Sequence, residues 1–96
     1  MSTLGKFRSA FHDYLTGLKI EAPPSIKDAS ELEFIVFFTK YIKPYRNDWE
    51  GGFKALKAFI ESCGIYVPEL DKDQKNKIIQ YLEAFLEIIE CPSYHS

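Results

Sequence analysis

A chain of 96 residues, 46% hydrophobic, 16% aromatic and 27% charged, fits one globular domain and is too rich in aromatics for a disordered one. A chain of this size buries roughly 65% of its unfolded surface, enough for one core and not for two. The net charge of −2 argues against a general nucleic-acid binder, whose domain is normally basic.

The N-terminal segment MSTLGKFRSAFHDYL lacks the unbroken apolar stretch and cleavage site of a secretory signal. No apolar run reaches the ~18 residues of a membrane span. Two cysteines, Cys63 and Cys91, make no disulfide framework. A cytoplasmic location without membrane contact is the expectation.

The first predicted helix covers residues 3–18. Leu4, Phe7, Phe11, Tyr14 and Leu18 recur at steps of three and four and form one apolar stripe, while Gly17 weakens the last turn. Residues 21–27 read as a loop, because Pro23 and Pro24 break a helix.

The second helix covers residues 30–43 and holds the most apolar stretch of the chain, Leu32–Ile42 (LEFIVFFTKYI). A helix apolar nearly all round is buried on several sides or waits for a partner. In so short a chain it is expected to be the central element. Ser30 and Glu33 have capping-box spacing, and Pro44 ends or kinks the helix. The rival reading, a buried strand over 33–38, finds no second strand to pair with.

The third helix covers residues 48–63, with Asn47 and Glu50 as the cap and Trp49, Phe53, Leu56, Ile60 and Cys63 as the stripe. Gly51 and Gly52 soften its first turn. Gly64 stands where a left-handed residue closes a helix. The fourth covers residues 71–90, with Asp71 and Gln74 as the cap and Ile78, Ile79, Leu82, Phe85, Leu86 and Ile89 as the apolar face. A polar tail, 92–96, follows. Four amphipathic helices with short connections predict an all-α, small antiparallel four-helix bundle.

Chemistry is sparse. Cys63 lies at a helix C-terminus, where the dipole disfavours a thiolate, and reads as a packed core thiol. His12 reads as solvated, because its neighbour Asp13 does not face it on a helix, and His95 falls in the tail. No Glu-x-x-His pair, zinc spacing, calcium loop or phosphate fingerprint occurs, so neither catalytic residues nor a metal or other cofactor is expected.

Two surface features remain. Between residues 40 and 57 five cations (Lys40, Lys43, Arg46, Lys54, Lys57) face two carboxylates, with Tyr41, Tyr45 and Trp49 interleaved. Trp, Tyr and Arg together typify protein-binding hot spots, and aromatics among cations can also stack bases. Glu83, Glu87 and Glu90 align as an acidic ridge on the last helix. The opposed charges can steer a partner or support self-association. The expectation is a non-catalytic protein-interaction module that occludes a surface of a larger partner, as an inhibitor or immunity-type protein would. Its partner-binding residues would be Tyr45, Arg46, Trp49, Lys54 and Lys57, with Glu83, Glu87 and Glu90 as a second surface. A nucleic-acid-associated subunit using the basic and aromatic patch is the alternative, and a homo-oligomer a third reading.

Overall fold

The computed structural model describes residues 3–90. Cys91, Tyr94, His95 and the tail at 92–96 lie outside the described residues. The chain is all-α, and among the described residues there is no strand. Helices α1 (Thr3–Gly17), α2 (Pro24–Lys27), α3 (Glu31–Tyr41), α4 (Trp49–Ser62) and α5 (Lys72–Glu90) are joined by loops and one 3-10 turn, Lys43–Tyr45.

The caps explain most of the boundaries. At α3 the Glu33 N–H donates to Ser30 Oγ at 3.2 Å and the Ser30 N–H donates to Glu33 Oε1 at 3.4 Å, so both halves of the expected box are present. At α5 Asp71 and Gln74 exchange the same pair of bonds at 2.8 and 3.0 Å. At α4 the cap is Asp48, not Asn47: its Oδ1 accepts from the Gly51 N–H at 3.2 Å. A carboxylate there also meets the positive end of the helix dipole.

One expectation fails for a local reason, and one helix end has an unforeseen closure. Residues 24–27 form a helical turn rather than a loop, because Pro24 occupies the first helical position, where its missing N–H costs nothing. Helix α1, whose end the sequence left without a closing residue, is closed by Lys19. Lys19 takes φ 63, its N–H donates to Thr16 O, and the Ile20 N–H donates to Leu15 O. That is a Schellman closure with a lysine in the left-handed place, pinned by burial of Leu15 and Ile20. Gly64, at φ 81, closes α4 where the sequence placed it.

The centre of the molecule is α5, not the Leu32–Ile42 run. Phe85 is fully buried and meets three rings: Phe34 at 5.0 Å, Phe11 at 5.5 Å and Phe38 at 6.0 Å between centroids. Ile78, Leu82, Leu86 and Ile89 complete its buried face. Helix α1 packs along α5. Phe11 meets Phe85, whereas Tyr14 lies by Tyr81 and close enough to Asp71 and Asp73 to feel their charge. Burial first, then those carboxylates and Tyr81, push the Tyr14 phenol above its usual pKa.

Helices α4 and α5 do not form a simple hairpin. The segment after Gly64 turns back along α4, placing Tyr66 and Val67 beside Phe53 and Lys57. Helix α5 therefore starts beside the first turn of α4, where Lys75 Nζ lies 2.8 Å from Glu50 Oε1.

Candidate functional site

Helix α3 has two unlike sides. Phe34, Phe37, Phe38 and the following Ile42 are buried, and Phe37 also stacks on Phe59 of α4 at 4.7 Å. On the other side Leu32 is 70% exposed, Val36 58% and Tyr41 43%. The apolar run is thus covered on one side only. Steps of three and four place Ala29, Leu32, Glu33, Val36 and Lys40 together on the outer face.

This face floors a groove of about 680 Å³. Pro24, Ser25 and Asp28 form the wall from α2, and Tyr41 with Phe59 forms the wall toward α4. The rim charges are ordered along the helix: Asp28 and Glu33 at its N-terminal end, Lys40 at its C-terminal end. Among the described residues none of the three has an ion-pair partner, although Lys40 Nζ lies 5.3 Å from the centre of the Tyr41 ring.

Arg8 of α1 holds the α2 wall in place. Its Nη2 donates to Ile26 O at 2.8 Å and to Ala29 O at 2.6 Å, and its guanidinium lies 5.0 Å from the centre of the Phe34 ring. The carbonyls at the end of a one-turn helix lack partners of their own, so this cation serves as their cap. Its Nε is buried with no partner, so the side chain is held by its Nη2 end and by packing.

The sequence-predicted residues divide differently. Arg46 and Glu90, assigned to opposite surfaces, meet: Arg46 Nη1 and Nη2 each donate to a Glu90 oxygen at 2.8 Å, and Lys43 Nζ approaches at 3.3 Å. The Arg46 hydrogen bonds first, then Lys43, hold the Glu90 carboxyl below the ordinary range against an opposing desolvation effect. The basic stretch thus spends two of its cations on the acidic ridge. Lys40, Lys54 and Lys57 are its cations without a carboxylate partner among the described residues, and Lys57 is only half exposed.

Tyr45 and Trp49 lie over the Gly51–Gly52 step. A Cβ at Gly51 would stand 2.8 Å from the Tyr45 ring, and one at Gly52 3.1 Å from the Trp49 ring. These glycines let the aromatics settle on the first turn of α4, so Trp49 is half buried and packs against the core. Glu83 and Glu87 are exposed and without ion-pair partners among the described residues.

Cys63 is exposed and free rather than a core thiol, because the helix ends before its position turns inward. His12 Nδ1 does approach Asp13 Oδ1, at 3.7 Å in an exposed contact. Among the described residues no helix is long and apolar enough to cross a membrane, and no three His, Cys, Asp or Glu side chains are grouped to hold a metal ion. No family model, curated protein or solved structure matches this chain.

The groove was not located by sequence reasoning, which took the α3 run as the central element, buried on several sides or waiting for a partner, without deciding which side lies open. The signal that could have found it is the pair Leu32 and Val36, which share a face with Glu33 and Lys40 rather than with Phe34 and Phe38.

Proposed function

We propose that this chain is a non-catalytic protein-interaction module whose binding face is the α2–α3 groove. The observation that supports this is the exposure of Leu32 and Val36 on a helix whose opposite side already fills the core. Apolar side chains one helical turn apart, framed by ordered charge, suit the apolar stripe of an amphipathic helix. Such a patch is a binding surface more often than a decoration.

The scaffold would then be a four-helix packing unit, with α2 as an inserted turn that supplies a groove wall. The setting would be the cytoplasm, and the partner a larger protein whose surface this chain occludes, as inhibitors and immunity-type proteins do. That extension is analogy from size and class alone. The Tyr45–Trp49 aromatics and Lys54, Lys57, Glu83 and Glu87 are secondary contacts in this reading, because none of them lines the α2–α3 groove.

The test is affinity capture from host lysate with tagged wild-type and V36E chains, with and without nuclease. A stoichiometric protein that survives nuclease, is kept by wild type and is lost by V36E is the expected result. Equal retention by both chains, or nucleic acid as the main retained species, overturns the reading.

A further inference from the structure

We infer that the groove closes against a second copy of this chain, the two α3 helices lying antiparallel about a two-fold axis at the Val36–Phe37 step. This rests on the reading of the groove as the binding face, and it names the occupant of that face when the chain is alone.

A two-fold interface must be complementary to itself. The charges on the outer face of α3 meet that demand. Glu33 and Lys40 lie equally far on either side of the Val36–Phe37 step, so the two-fold sets Glu33 of each copy against Lys40 of the other. Leu32, exposed one turn before Val36, adds apolar surface on the same face. Val36 lies at the centre against its counterpart. Asp28 extends the acidic end, and the antiparallel arrangement sets the positive end of each helix dipole by the negative end of the other. The charges that would pair are those left without an ion-pair partner within one chain: neither Glu33 nor Lys40 has one among the described residues.

One face on an eleven-residue helix with a short rim is at the small end of specific interfaces, so the dimer is weak and forms at micromolar concentrations and above. It covers the surface that a different protein would need. Self-association and partner binding therefore compete, and the chain becomes available as it is diluted.

The experiment is sedimentation equilibrium of the full chain from about 5 μM to about 1 mM, a range that brackets a dimer of this class. The wild-type mass should rise from 11.1 kDa toward twice that value. E33K and K40E should each weaken association by about tenfold or more, since each variant turns two attractive pairs into two repulsive ones. Mixing the two variants in equal amounts should restore a dimer, because one then carries both cations and the other both carboxylates. V36E should remain monomeric throughout. Far-UV circular dichroism checks that each variant stays helical, and E33Q, which keeps the capping geometry, separates loss of charge from loss of the cap.

A wild-type chain that is monomeric over the whole range overturns the second-copy proposal and leaves the groove reading to its own capture test. A dimer unchanged by E33K, K40E and V36E overturns it too, since association would then use another face. Folded single variants whose mixture stays monomeric overturn the antiparallel register.

Discussion

Helices α3 and α5 carry opposite lessons about apolar content. Helix α3 is the most apolar segment of the chain, yet it lies at the periphery with Leu32 and Val36 in water. Helix α5 is interrupted by charges along its length, yet it buries five side chains and touches three other long helices through Phe85 and its neighbours. A helix becomes central by presenting a face that several others can reach, not by being greasy all round. What α3 holds beyond its buried face is left outside the core, and it is on that remainder that the proposed binding face rests.

That contrast can be broken most forcefully at Phe85. F85A should cost about 3–5 kcal/mol in urea unfolding, because it opens a cavity where α1, α3 and α5 meet. R8A should cost about 2 kcal/mol by the same measure, since it leaves the Ile26 and Ala29 carbonyls without their cation. Amide exchange at Lys27 and Asp28 should rise with it if Arg8 holds the α2 wall. K19G should add about 1 kcal/mol by relieving the left-handed lysine that ends α1.

V36E should change monomer stability by no more than about 0.5 kcal/mol, although it replaces an apolar residue in the greasiest helix. A loss approaching that of F85A would show that the outer face of α3 is part of the core after all.

The smallest effect is at the far end of α5. Glu90 is held below its ordinary pKa of 4.5 by Arg46, so its contribution is present above that pH and is lost as pH falls through the depressed value. Unfolding midpoints of wild type and E90Q should therefore differ at neutral pH and converge in acid. An equal gap at every pH would mean that the carboxylate charge contributes nothing there.

Features set by near neighbours were legible in the sequence. Ser30 with Glu33, Asp71 with Gln74, and Gly64 each declare a helix end within a few residues, and each is found in its expected place. Lys19 was not legible, because no preference marks a lysine for the left-handed region; burial of Leu15 and Ile20 imposes it. The Pro23–Pro24 pair misled because proline is a breaker inside a helix and a starter at its first position. The candidate site was the least legible part. Periodicity shows which residues share a face of α3, but only the packing of Phe34 and Phe38 on Phe85 decides which face turns outward. Likewise nothing local pairs Arg46 with Glu90, so a basic stretch and an acidic ridge read as two surfaces when their ends are one contact.

The position of α5 in the chain bears on how the protein is made. Its residues leave the ribosome after those of the helices it gathers, so Phe11, Phe34 and Phe38 are made before the ring they will surround. Until Phe85 emerges, the nascent chain carries an unfinished core on α1 and the inner side of α3, together with the apolar outer face that stays open in the finished monomer. The interval before α5 arrives is then a period of exposure of this domain to chaperones and to association with neighbouring chains.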